Sequence, residues 1–208
     1  MRNKLVYGVG VNDWSGKVKE DNKIIKSYAN WFSMLRRCYD ASTHISRPTY
    51  KECTTREDWW SFSDYKSWYD CEFFMGAQVD KDILVPNNKE YSKDACVMVP
   101  DWLNSLLHTQ ARKQECPLGV VYKDDRVRRY VSEINYKGVR KCLGSFYTPQ
   151  EAHKVWQQEK VEIILEAAYD YSKEEHVKPF VVDALRRKAE ALRLDSNAGN
   201  ITTSFLVY

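Results

Sequence analysis

Apolar residues recur along this chain at two periods, and the changes of period divide it. Over residues 27–39, Trp31, Met34, Leu35 and Cys38 fall at i, i+3, i+4 and i+7, which predicts an amphipathic helix with one core-facing stripe. A second helix is predicted over 56–69, where Trp59, Phe62, Tyr65, Trp68 and Tyr69 repeat at helical spacing. That spacing assigns the rings to a core before it assigns them to base stacking. Residues 47–53 read as a short extended piece. Residues 79–84 then read as a strand, 87–89 as a polar turn, 96–100 as an apolar strand, and the stretch opening near Pro100 as a short helix. That order is a ββα unit.

Period-2 patterns follow. Residues 118–122, 128–135 and 139–146 each read as strands, separated by turns at 123–125 and 136–138. In the middle strand, alternation puts Tyr130, Ser132 and Ile134 on one side and Arg129, Val131, Glu133 and Asn135 on the other. A long helix starts with Thr148 as N-cap, Pro149 at its first position and Glu151 closing a capping box. Ala152, Val155, Trp156, Ile163, Ile164 and Ala167 supply its apolar side. A last helix is predicted from 173 or 179 to 194, with an unreadable tail. Residues 2–26 are turn-rich and read as a surface arm.

The expected architecture is therefore α+β. An N-terminal helical region leads into the ββα unit, then a three-stranded antiparallel sheet packed on one long helix, then a C-terminal helix. The expected boundaries are 1–112, 113–172 and 173–208.

With 43% hydrophobic and 13% aromatic residues among 208, the composition excludes a disordered chain. No apolar run spans a membrane and the first residues lack the apolar core of a signal peptide, so the expected compartment is a cytoplasm without membrane partners. The six cysteines form no CxxC pair, which makes buried reduced thiols the first reading and a zinc site from Cys38, Cys53 and Cys71 the second. Net charge is only +3, yet residues 112–160 hold 11 Lys and Arg against 6 Asp and Glu. A polyanion is sought there.

The ends of the ββα unit carry candidate chemistry. Asp80 and Asn104 offer oxygens that can share one hard divalent cation. Here the chain resembles the HNH endonucleases, and more closely the HNH-like proteins of tailed phages. In those proteins a Trp-x-x-Met-Leu helix with Arg-Cys-Tyr, matched at 31–39, and a Tyr-Lys-x-Cys segment, matched at 50–53, precede the ββα unit. The resemblance implies Asp80 and Asn104 as ligands of Mg²⁺ or Mn²⁺, with no organic cofactor. The position of the water-activating His is Lys81, and that of the loop-bracing Asn is Ala95. An ordinary Lys is protonated at neutral pH and has no lone pair for a proton, though it can hold a phosphate. His108, four residues beyond Asn104, is the candidate substitute acid or base.

A second resemblance covers about 35 residues. Tyr130-Val131-Ser132-Glu133-Ile134, and the run from Leu143-Gly144-Ser145-Phe146 through Thr148 to Glu151-Ala152, look like the DNA-binding domain of ethylene-response and Apetala-type transcription factors. The same domain occurs appended to phage and mobile HNH endonucleases. It implies that the free sheet face lies in the DNA major groove. Arg140 is retained from the family's contact set, while Val121, Asn135 and Cys142 replace Arg, Arg and Trp. Arg126, Arg128, Arg129, Lys137 and Lys141 complete the expected DNA-binding set as phosphate contacts.

Double-stranded DNA is the expected partner, and for a phage-encoded chain the compartment is the host cytoplasm. Three functions follow as expectations: an HNH-type endonuclease, a catalytically inactive DNA-binding regulator or host-takeover protein, and a protein-interaction module with a host partner.

Overall fold

The computed structural model describes residues 5–107 and 116–202. The chain is α+β and divides into two compact units, Met1–Met98 and Val99–Tyr208. The break falls ahead of the boundary expected from the sequence. The C-terminal helix belongs to the same unit as the three-stranded sheet.

In the first unit a hairpin, β1 (Lys19–Glu20) and β2 (Lys23–Ile24), turns through Asp21 and Asn22, both at positive φ. Helix α1 (Lys26–Tyr39) buries Trp31, Met34, Leu35 and Cys38, the predicted stripe. The short helix α2 (Ala41–Ser46) is capped by the Asp40 carboxylate, which accepts from Thr43 N at 3.0 Å. Strand β3 (Thr54–Thr55) leads through a single 3-10 turn, Glu57–Trp60, into α3 (Phe62–Glu72). The predicted second helix is thus two pieces, with Ser61 as N-cap between them. Trp59, Phe62, Tyr65 and Tyr69 are buried together with Trp31, and Trp31 Nε1 donates to Trp59 O at 2.7 Å. The aromatic residues are core.

The N-terminal segment differs from the expected surface arm. Val6, Tyr7, Val9, Trp14 and Val18 pack partly buried against this core. Val11 pairs in parallel with Ser61, and Asp13 accepts from Ser61 Oγ at 2.8 Å and from Ser63 N at 2.9 Å at the start of α3. Those bonds hold the Asp13 carboxyl below its usual pKa, although partial burial acts the other way. Strand β4 (Ala77–Asp80) ends four residues earlier than predicted, and β5 (Glu90–Tyr91) lies parallel to β3. Strand β6 (Val97–Pro100) pairs with β4.

In the second unit α4 (Asp101–Leu107) precedes β7 (Val120–Tyr122), β8 (Tyr130–Tyr136) and β9 (Val139–Phe146), an antiparallel sheet in sequence order. Helix α5 (Pro149–Tyr171) opens with the predicted capping box and packs on the sheet, and α6 (Pro179–Ala198) packs on α5. Contact on both sides explains why α5 buries His153, Gln157 and Lys160 as well as its apolar residues. These three side chains hold the backbone of separate segments. Lys160 Nζ donates to Leu106 O at 2.7 Å, and Gln157 Nε2 donates to Asn200 O at 3.0 Å. Thr202 N–H donates to His153 Nε2 at 2.9 Å, so the ring proton sits on Nδ1 and is donated to Leu118 O at 2.8 Å.

This packing makes the second unit sensitive at two positions. Gly119 has φ +75, and a Cβ there lies 1.9 Å from the Trp156 ring. Gly119→Ala is expected to destabilise the second unit by about 3 kcal/mol or more, read as a lower denaturation midpoint.

Burial depresses the pKa of His153, opposed by the Leu118 bond. The unfolded chain takes up this proton near pH 6.5 and the folded chain only below it, so the site's contribution is full above pH 6.5 and falls as pH drops toward the folded value. Urea unfolding at about pH 7.5 and about pH 5 should show that loss, and His153→Gln should flatten it.

Candidate functional site

The ββα ends are built around one braced loop. After β4, Asp80 is 4% exposed, and its Oδ1 accepts from Asp82 N and Ile83 N, each at 2.7 Å. The chain therefore turns at residue 81 where the sequence pattern continues a strand. Lys81 Nζ donates to Asp82 Oδ1 at 2.5 Å and to Asn88 O at 2.6 Å, over the Tyr91 ring at 5.9 Å. Asn88 closes the loop: its Nδ2 donates to Lys81 O at 2.9 Å and Glu90 O at 2.6 Å, and its Oδ1 accepts from Glu90 N at 3.0 Å. Asn88 braces this loop from within it, a role that the HNH resemblance assigns to position 95.

Lys81 Nζ is thus spent on a carboxylate and a carbonyl of its own loop, not presented as a general base. One oxygen of Asp80 already serves two backbone amides. Asn104 lies half-buried on α4, in the other unit, and His108 lies outside the described residues. Among the described residues no group of three or more His, Cys, Asp or Glu is placed to hold a metal ion.

The cysteine trio also changes. Cys38 and Cys53 are buried in the core whereas Cys71 is exposed. The third buried thiol is Cys96, and burial pushes Cys38 and Cys96 up to about 12. Burial thus disfavours the thiolate form of both groups.

The second unit sorts the cations expected to bind DNA into three groups. Lys137 Nζ donates to Glu166 Oε1 at 3.0 Å and Asp170 Oδ2 at 2.9 Å, and Lys141 Nζ to Glu159 Oε1 at 2.8 Å. Both lysines are thus engaged with carboxylates of α5. The bonds to Asp170 and Glu166 raise the Lys137 ammonium well above its usual pKa.

Arg140 points to the other face. Its Nε donates to Glu133 Oε2 at 3.1 Å, with a second bond from the guanidinium, and Asn135 is its exposed cross-strand partner. Arg126, Arg128 and Arg129 form the third group, in the β7–β8 loop, and all are exposed. Arg126 reaches Ser145 Oγ at 3.4 Å, Arg128 lies over the Tyr147 ring at 5.1 Å, and Arg129 reaches Tyr122 Oη at 3.1 Å. Among the described residues these partners are neutral, so the arginine charge is left to the solvent, tempered by Asp124 and Asp125 in the same loop.

Arg37 on α1 is half-buried over the Tyr50 ring at 5.6 Å. Of the other expected site residues, Val121 is buried at 8% exposure and offers no contact surface, while Cys142 is exposed. No helix among the described residues is long and apolar enough to cross a membrane. Comparison with family models, curated proteins and solved structures finds no match to this chain.

The sorting predicts unequal effects of substitution on any polyanion affinity. Lys137→Ala and Lys141→Ala should change it less than about 2-fold and leave the melting midpoint nearly unchanged. Arg128→Ala and Arg129→Ala should each weaken it, and should lower the slope of log affinity against log salt by about 0.9 for each phosphate no longer neutralised. Salt-titrated binding to duplex DNA checks both.

Proposed function

We propose that this chain binds double-stranded DNA through the side of the β7–β8–β9 sheet that α5 leaves open, and that it does so without cutting. The observation that carries the binding reading is the set of Arg126, Arg128 and Arg129 in the β7–β8 loop of that sheet, exposed and set against neutral partners among the described residues. Such cations neutralise phosphates and release counterions, which supplies affinity independent of sequence. The resemblance of this segment to ethylene-response and Apetala-type DNA-binding domains supports the same partner and the same face.

The absence of cutting rests on Lys81. Its ammonium is committed to Asp82 and Asn88 O, and Asp80 to the backbone of the loop, so the HNH-like unit serves as scaffold in this reading. The role is that of a DNA-binding regulator that kept the layout of a nuclease.

A gel assay on supercoiled and linear duplex, with Mg²⁺, Mn²⁺ or chelator, tests both halves. A mobility shift without strand breaks is expected. The charge reversals Arg128→Glu and Arg129→Glu together should weaken the shift by roughly 100-fold at low salt, and Asp80→Ala should leave it unchanged. Metal-dependent nicking that disappears in Asp80→Ala would replace this reading with the endonuclease, and absence of any shift would remove DNA as the partner.

A further inference from the structure

Taking a charge out of water costs free energy unless a counter-charge goes with it, so charged side chains below the surface are found paired. Arg37 breaks this pattern. Among the described residues it is the one arginine that is not exposed, and no carboxylate forms an ion pair with it. Its guanidinium lies over the Tyr50 ring at 5.6 Å and donates to the Tyr91 hydroxyl. Burial acts to lower its pKa, but Tyr91, Tyr50 and Cys38 together leave it raised.

The neighbouring lysines show the contrast. Lys81, 5.9 Å from the centroid of the same Tyr91 ring, has its own carboxylate in Asp82 at 2.5 Å. Lys89, just ahead of β5, has Glu52 at 3.6 Å. These acids are taken up by lysines. The carbonyl end of α1 offers Arg37 only about half a negative charge, and Arg36 shares that last turn. The counter-charge of Arg37 is therefore sought outside the chain. A guanidinium carries five N–H donors in a planar fork, and one bond to Tyr91 leaves the others for oxygens of an oxyanion. Tyr50 is half-buried, so solvent reaches this residue as well.

We infer that Arg37, with Tyr50 and Tyr91 in contact with it, is a binding site for one phosphate group in the first unit. Arg37 supplies the charge and the fork, the Tyr50 hydroxyl a further donor, and Tyr91 fixes the guanidinium. The site does not rest on the DNA-binding reading above, because the group is either free phosphate or a phosphate of nucleic acid, and the experiment separates these sources.

Inorganic phosphate is titrated into the isotope-labelled whole chain at constant ionic strength, with chloride as control, and the Arg37 Nε–H resonance is followed. A saturable shift with phosphate and none with chloride is expected. Arg37→Lys keeps the charge but loses the fork, and should bind phosphate about 10-fold more weakly. Tyr50→Phe removes one hydrogen-bond donor and should weaken binding about 3-fold. Thermal melting checks that both variants fold, and the wild-type resonance reports on the site without them.

Duplex DNA, followed through the same resonance, is the second arm. Movement with inorganic phosphate alone assigns the site to free phosphate. Movement with duplex, together with weaker duplex binding by Arg37→Lys, assigns it to the nucleic-acid backbone. A resonance that moves with neither, or as much with chloride as with phosphate, overturns the inference, as does phosphate binding unchanged in Arg37→Lys. Duplex binding that leaves the resonance still would keep the DNA-binding reading, whereas a phosphate shift without any duplex binding would keep this site and remove that reading.

Discussion

Helix α5 is covered from more than one side, and the second unit depends on how its buried polar groups are satisfied. A helix packed only on a sheet keeps its polar residues in water, but α5 also carries α6. His153, Gln157 and Lys160 are consequently inside, each 4% exposed or less. Burying an amide, an imidazole and an ammonium costs free energy unless each finds a partner. The partners come from backbone at Leu118, Leu106, Asn200 and Thr202, so the requirement to satisfy α5 also fastens the start of β7, the end of α4 and the segment after α6. Burial lowers Lys160 to about 8, a measure of how completely it has left water. Trp102 Nε1 donating to Glu174 Oε1 at 3.0 Å adds a further tie between α4 and the turn before α6.

The same packing divides the charge of the sheet. Acidic residues on α5 draw Lys137 and Lys141 into ion pairs, whereas the arginines of the β7–β8 loop have neutral hydrogen-bond and ring partners among the described residues. Exposed ion pairs of this kind add little stability, so their main consequence is electrostatic: the basic excess of the segment is partly cancelled on the helix side and retained by the loop. The proposed function takes its geometry from this partition.

In the first unit the corresponding constraint is the aromatic core. Trp31 and Trp59 join α1 to the 3-10 turn through one hydrogen bond, and Phe62 and Tyr65 pack their rings against them. The loop from 80 to 90 is braced in another way, since Asp80, Lys81 and Asn88 each bond backbone within it. Residues that in a nuclease would meet solvent and substrate are here committed to their own loop.

Periodicity in the sequence determined α1, the three strands of the sheet, the capping box of α5 and the α+β class, because each depends on contacts within a few residues. Asn135 was also legible as a polar position on an alternating strand, and Arg140 through the resemblance of that segment. Three features were not. Asp80 ends β4 by binding amides two and three residues on, which looks like continued strand to a pattern of apolar spacing. His153, Gln157 and Lys160 lie outside the apolar side assigned to that helix, and nothing local reveals a second helix packed over them. The fate of the lysines was decided by α5 carboxylates 18 to 33 residues away. Charge counts along a chain locate cations, but only the tertiary structure sets which of them meet a carboxylate, because that neutralisation acts across space.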